Sequence, residues 1–273
     1  MNRYRLAACL LVATLASCFD LPAQDAEKPN VLFIFLDDYG WRDCGYMGSD
    51  FYETPHIDAL AREGMIFSNA YSGAANCAPA RACLLSGQYT PRHEIYNVGT
   101  SRRGKKSHGK WMHVPGTDTL KTNISTWAHQ IKKAGYRTGT IGKWHLSNDP
   151  LPYGFDFNFA GTHSGSPPRG YYPPHPNAPG LEEAPKDEYL TDRLTEEAIG
   201  FIDRNQSEPW LLYLTHFAVH TPLQGTPDLV AKYEAKRKGK LHDHAVMAAM
   251  PALTRPASGY SAKAISIATW DRR

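Results

Sequence analysis

The 273-residue sequence is short of three things: net charge, cysteine and long apolar runs. Thirty Lys and Arg stand against 27 Asp and Glu, a formal charge of +3. Loss of Arg3 and Arg5 with the first seventeen residues would leave +1. A body this close to neutral lacks the basic footprint of a dedicated nucleic-acid binder. The apolar stretch Leu6 to Ala16 is too short to span a bilayer comfortably. Internal repeats and low-complexity tracts are absent. With 42% hydrophobic and 21% charged residues, the composition excludes a disordered tail, a collagen-like fibre and a polytopic membrane protein. What is abundant is proline, 20, and glycine, 22, as expected of an α/β enzyme with long connections. The length suits one large domain or two small ones.

The N-terminus reads as an export signal over residues 1–17, followed by a linker over 18–29. Two arginines precede the apolar run, which has the proportions of a signal-peptide core. Leu15-Ala16-Ser17-Cys18 resembles a bacterial lipobox, with Cys18 as the lipid-anchored residue; the alternative is ordinary cleavage near Ala23. Both predict a protein outside the cytoplasm, in the periplasm or anchored to the envelope. Beyond Cys18 only Cys44, Cys77 and Cys83 remain, too few and too odd for a disulfide framework. An unpaired thiol in an oxidising compartment needs a reason to be there.

Val31 to Leu36 is a continuous apolar run without alternation, the pattern of a strand buried on both faces in a parallel sheet. Thr54-Pro55 opens a helix to Gly64, with Thr54 as cap and Ile57, Leu60 and Ala61 facing inward. Met65 to Tyr71 is expected to be a second short strand. Cys77 to Gly87 reads as a turn running into a helix. Val98 to Thr117 reads as a basic loop. Thr119 to Ala134 is expected to be helical and Tyr136 to Ile141 a strand. Pro150 to Pro185 reads as loop, Tyr189 to Asn205 as helix, and Trp210 to Leu214 as a buried strand. Strand and helix alternating in this way predict an α/β fold with a largely parallel central sheet.

Asp37-Asp38, Lys143 to His145 and His216 to His220 each follow one of these strands. In open α/β sheets the ligand crevice lies outside the carboxyl ends of the strands, so these residues should meet on one rim. Adjacent carboxylates call for a cation, and hard oxygen ligands suit Ca²⁺ or Mg²⁺; a solvated turn is the plainer alternative. Cys77 sits at a helix start beside Arg81, where a thiolate or a bound anion is favoured. Cys83 fits a buried structural thiol. Lys143 supplies a point charge for an oxyanion, and His145 and His220 supply proton donors or acceptors. Such a cluster suits metal-assisted transfer of an anionic group. His216 is open to a structural reading.

Cys77-Ala78-Pro79-Ala80-Arg81, followed by Leu84-Leu85-Ser86-Gly87, resembles the C-x-P-x-R signature of the type I sulfatases. Gly135 to His145 is similar to their second signature. Pro29-Asn30-Val31 to Asp38, the helix Thr54 to Gly64, and His220-Thr221-Pro222-Leu223 match in order, from about Pro29 to about Met250. The resemblance implies an alkaline-phosphatase-like α/β/α sandwich and hydrolysis of sulfate esters. It implies that a maturation enzyme converts Cys77 to Cα-formylglycine, whose hydrate attacks sulfur. It further implies Ca²⁺ on Asp37, Asp38 and the modified Cys77, with Arg81 holding that side chain. Lys143 would contact a sulfate oxygen, His145 would assist proton transfer, and His220 would bind sulfate or protonate the leaving oxygen. The implied substrate is a sulfated small molecule or glycan.

The resemblance covers residues 30–250 as an N-terminal catalytic portion. After Met250, Pro251 and Pro256 would break the helix expected there. Asp271 is the single acidic residue after Asp243, and the family's later Asp-Asn pair has no counterpart. Residues 251–273 therefore read as a tail out of register, as a frameshift or truncation would give, with a real short variant as the alternative; the missing later ligands predict that the chain as given is unstable and inactive as a sulfatase. Two other functions stay open at this point. One is a phosphonate or phosphodiester hydrolase of the same superfamily. The other is a non-catalytic envelope lipoprotein that binds sulfated glycans through Arg102 to Lys110.

Overall fold

The computed structural model describes residues 28–99, 105–110 and 112–250. The expected signal segment, Cys18, Arg102, Arg103 and the tail after Met250 lie outside them. Four strands form one sheet: β1 (Val31–Phe35), β2 (Arg137–Gly142), β3 (Phe157–Phe159) and β4 (Trp210–Thr215). Their order is β1-β4-β2-β3 and every pairing is parallel. The five main helices are α1 (Pro55–Glu63), α2 (Cys77–Ser86), α3 (Trp127–Lys133), α4 (Leu190–Arg204) and α5 (Pro227–Ala235). Among the described residues no helix is long and apolar enough to cross a membrane.

Side chains alternate across a strand, and both faces of this sheet are covered. Leu32 and Ile34 of β1 and Leu212 and Leu214 of β4 join Leu190, Leu194, Ala198 and Phe201 of α4 in one apolar layer. Phe33, Phe35 and Tyr213 point the other way, into a layer with Ala78, Ala82 and Leu85 of α2 and Trp127 and Ala128 of α3. The result is an α/β/α sandwich, as the sequence predicts. Gly142 ends β2 at φ +100, in backbone that favours glycine, and a Cβ there would collide with the Thr215 carbonyl oxygen.

Three local expectations need correction. Met65 to Tyr71 forms no strand; Met65, Phe67 and Tyr71 are exposed. Helix α3 starts at Trp127, not Thr119. Thr126 caps it, accepting from the His129 amide while the His129 side chain answers the Thr126 amide. The stretch before it bonds elsewhere, with the Leu120 amide on the Leu146 carbonyl. The apolar spacing of Leu120 and Ile124 reflects burial in the same layer as α3, not helix. Thr54 precedes α1 but does not cap it: its hydroxyl donates to Asp58 and accepts from the Gly45 amide. Nor is any residue of α1 buried. Its Ile57 and Leu60 line, with Tyr39, Trp41, Met65 and Phe67, an apolar groove of about 830 Å³.

Candidate active site

Because β1, β2 and β4 are parallel and adjacent, their carboxyl ends open on the same edge. Backbone bonds stitch the segments beyond them. The Asp37 amide donates to the Ala218 carbonyl, and the Val219 amide to the Asp37 carbonyl. The Lys143 amide donates to Thr215, whose hydroxyl in turn donates to the Lys143 carbonyl at 2.7 Å. The predicted convergence is real. Lys143 Nζ donates to Asp37 Oδ2 in a buried ion pair. Arg81 Nη2 lies 3.8 Å from Asp37 Oδ1, and Arg81 Nη1 donates to the Lys143 carbonyl at 2.6 Å. His220 Nε2 stands 3.9 Å from Asp38 Oδ2. Ligand atoms of Asp37, Cys77 and His220 fall within 4.8 Å of one another.

Each side chain is placed by its element. Cys77 opens α2, with Asn76 preceding it, so Arg81 follows one helical turn later on the same face. Asp38 and His145 both hold left-handed backbone, at φ 56 and φ 64. Non-glycine residues hold that conformation only where the surroundings enforce it, and such residues cluster at functional sites. The His145 amide donates to the Thr162 carbonyl at 2.9 Å.

The charges are unusual for an interior. Arg81 and Lys143 are almost fully buried, and Arg81 Nε and Nη2 have no hydrogen-bond partner among the described residues. Burial pushes the Lys143 ammonium down, to about 7; the Asp37 carboxylate against it favours the charged form. His145 is pushed down to about 3, by burial first and then by Lys143 and Arg81, so it is neutral across the ordinary pH range. His220 Nδ1 lies 2.7 Å from the Thr221 carbonyl. A carbonyl only accepts, so Nδ1 carries the hydrogen and Nε2 is left to face Asp38.

The expectation of a stabilised thiolate at Cys77 does not hold. Burial, then the nearby Asp38 charge, pushes this thiol up, and Arg81 offsets only part of that. The helix start and the arginine suit an incoming anion rather than a resident one. Cys83 is the buried structural thiol expected, 3.3 Å from His93 Nε2. His216 is wholly buried and pushed down to about 4 by desolvation. Its Nδ1 has no hydrogen-bond partner among the described residues, and it is a core histidine.

Asp37, Cys77 and His220 offer ligand atoms close enough together to hold a metal ion. Asp37 is buried, Asp38 is open to solvent, and the Lys143 ammonium now set against Asp37 marks a position where positive charge is held. A residue absent from the sequence reading is His163, whose ring stands 6.2 Å from that of His145, edge on. It follows β3, a strand of only three residues inside a Pro/Gly-rich stretch. That is too short for an apolar pattern to reveal, so the strand-end rule had nothing to act on.

A parallel α/β sandwich with a cationic rim beside paired carboxylates defines an anion-handling site at the strand ends. Residues 29–255 match the Sulfatase family model, and the chain belongs to the sulfatase family. It is 32% identical over 249 residues to N-acetylgalactosamine-6-sulfatase of Mus musculus, covering 80% of the chain and 46% of that relative. To a sulfatase of Formosa agariphila it is 31% identical over 286 residues, covering 84% and 51%. The crystal structure of Ps i-CgsB in complex with k-i-k-neocarrahexaose superposes with a TM-score of 0.65 at 29% identity, covering 84% of this chain and 52% of that one. The fold is the alkaline-phosphatase-like fold of the sulfatases. The chain spans about half the length of the relatives it matches.

Proposed function

We propose that this chain carries the sulfate-binding site of a sulfate-ester hydrolase, acting on a sulfated small molecule or glycan. The observation that carries this reading is the meeting of Asp37, Arg81, Lys143 and His220 around Cys77 at the strand ends. A sulfate ester brings a compact face of three oxygens that share one negative charge, and buried cations with few internal partners are suited to receive it.

In this reading Arg81 holds the modified Cys77 side chain and Lys143 contacts a sulfate oxygen. His145 assists the proton transfers of the Cys77 hydrate. His220 presents Nε2 to the rim and, when protonated, donates to the oxygen of the departing alcohol. Cys77, as formylglycine made by a maturation enzyme, supplies the oxygen nucleophile. Ca²⁺ would be held by Asp37, Asp38 and the Cys77 position and would supply positive charge against sulfate. The net reaction consumes water and yields the alcohol and sulfate. Export, with Cys18 as the anchor, completes the reading and rests on the first residues alone.

The test is mass analysis of the Cys77 peptide after co-expression with a maturation enzyme, beside sulfate release from 4-nitrophenyl sulfate by a frame-restored version of the chain. Formylglycine is lighter than cysteine. Expected are the lighter peptide and turnover abolished by Cys77→Ala; equal turnover in that variant would overturn the reading. Preference for a phosphonate or phosphodiester over the sulfate would transfer the chain to the other hydrolase class.

A further inference from the structure

The segment that follows β4 carries His220, and two different parts of the molecule hold it. On one side is the end of β1: the Asp37 amide donates to the Ala218 carbonyl, and the Val219 amide to the Asp37 carbonyl. On the other side stands Tyr171, from the Pro/Gly-rich stretch between β3 and α4. Its hydroxyl donates to the His220 carbonyl at 2.9 Å. Its amide donates to Gln224 Oε1 at 2.7 Å, further along the same segment.

Tyr171 is itself firmly seated. It is wholly buried, its ring stacks on Tyr189 with centroids 5.7 Å apart, and its carbonyl accepts from the amide of Leu190, the first residue of α4. Tyr189 completes the cluster by donating to the Gln224 carbonyl at 2.7 Å. Gly170 allows the close approach, with φ +108 and a Cβ position only 2.5 Å from Gln224 Oε1. Burial, then Tyr189 and Asp38, pushes the Tyr171 hydroxyl up, so it keeps its proton and stays a donor.

The bond from Tyr171 falls on the peptide that governs the His220 ring. The His220 carbonyl belongs to the peptide joining it to Thr221, and the Thr221 carbonyl is the partner of His220 Nδ1. Turning that peptide would carry Nε2 away from Asp38. The ring is thus fixed against its own backbone, and Tyr171 fixes that backbone against α4. We propose that Tyr171 is the positioning residue of His220: it aims Nε2 at the rim by holding the peptide that follows. This rests on the sulfate-ester reading above, in which His220 donates to the departing oxygen. A general acid must stand within hydrogen-bond reach of the atom it protonates, and a displacement of about 1 Å can cost about a hundredfold in rate. Dependence on the acid grows with the basicity of the leaving group. Nitrophenolate departs readily without a proton; phenolate, a stronger base, does not.

The test compares turnover of 4-nitrophenyl sulfate and phenyl sulfate by the frame-restored chain and its variants. Tyr171→Phe deletes the hydroxyl and keeps the stacked ring. It should lower kcat for phenyl sulfate about tenfold or more and leave kcat for the nitrophenyl ester nearly as it was, with KM unchanged for both. His220→Gln should separate the two esters in the same direction and further. Tyr189→Phe removes another buried hydroxyl of the cluster and should lower stability without separating them. In the chain as given, the His220 amide, bonded to the Phe217 carbonyl at 2.8 Å, should exchange with deuterium faster in Tyr171→Phe than in the parent or in Tyr189→Phe. Equal loss on both esters in Tyr171→Phe, or no loss on either, would overturn the assignment, as would unchanged exchange at His220. Equal loss on both esters in His220→Gln would overturn the acid role of His220 first, and the role of Tyr171 with it. Absence of turnover in the frame-restored parent would overturn the sulfate-ester reading itself.

Discussion

The ammonium of Lys143, beyond the end of β2, donates to the carboxylate of Asp37, beyond the end of β1, although β4 lies between those two strands. Two residues brought together across an intervening strand make the rim one unit. Both are buried, so each depends on the other for its charge.

Removing one partner of such a pair should be costly. Lys143→Ala leaves the Asp37 carboxylate buried with only Arg81 nearby at 3.8 Å, and should destabilise the chain by about 3–5 kcal/mol. Added Ca²⁺ should restore part of that loss by occupying the freed charge position. Urea unfolding of both chains, with and without Ca²⁺, measures this. Equal midpoints without metal would show that the pair carries no stability.

Two glycines separate backbone strain from steric collision. Gly87 ends α2 at φ +65 with open space around it, whereas Gly142 is left-handed and packed against the Thr215 carbonyl. Gly87→Ala should cost about 1 kcal/mol. Gly142→Ala should cost more than the roughly 1–3 kcal/mol expected for strained backbone alone, because β2 and β4 must part to admit the methyl group. Thermal melts of the two variants should differ clearly; similar melting points would show that the strand ends relax.

The core histidine His216 predicts the acid limb of the stability curve. Its folded pKa of about 4 lies below the ordinary 6.5. Between those values the unfolded chain binds a proton that the folded chain does not, so stability falls as the pH falls from 6.5 toward about 4. The slope from this group is at most about 1.4 kcal/mol per pH unit. Unfolding midpoints across that window should therefore fall less steeply in His216→Phe than in the parent.

The groove beside α1 predicts behaviour in solution. Met65 is 80% and Phe67 73% exposed, and an apolar patch of this kind binds hydrophobic dyes and other chains. Serine at both positions should lower dye fluorescence and light scattering together, with the melting temperature little changed.

The long apolar or amphipathic segments were legible in the sequence. Strand β1 is announced by Val31 to Leu36, and α4 by Leu190, Leu194 and Ala198 at helical spacing, because both bury a continuous face. The strand-end dipeptides then mark the rim, since the parallel sheet puts all three at the same edge. Illegible were features whose cause lies elsewhere in the chain. Leu120 and Ile124 keep helical spacing yet pack as loop, because Leu120 bonds to Leu146 and not to its own neighbours. Met65 to Tyr71 has strand-forming residues but no strand partner, so propensity had nothing to pair with. The upward push on Cys77 comes from burial and from Asp38, thirty-nine positions away, which a helix-start argument does not contain.

The order of the sheet also sets a timetable. Strand β1 has one strand neighbour among the described residues, β4, and Val31 lines up with Leu211. At ordinary rates of synthesis the first strand waits on the order of ten seconds or more for the last to emerge. Throughout that interval Asp37 lacks the Ala218 and Val219 backbone that later clasps it, and Cys77 lies in a chain whose sheet does not yet exist. Any chemistry that must reach the Cys77 sulfur therefore has an early period of open access, before the fourth strand docks and that side chain becomes half-buried.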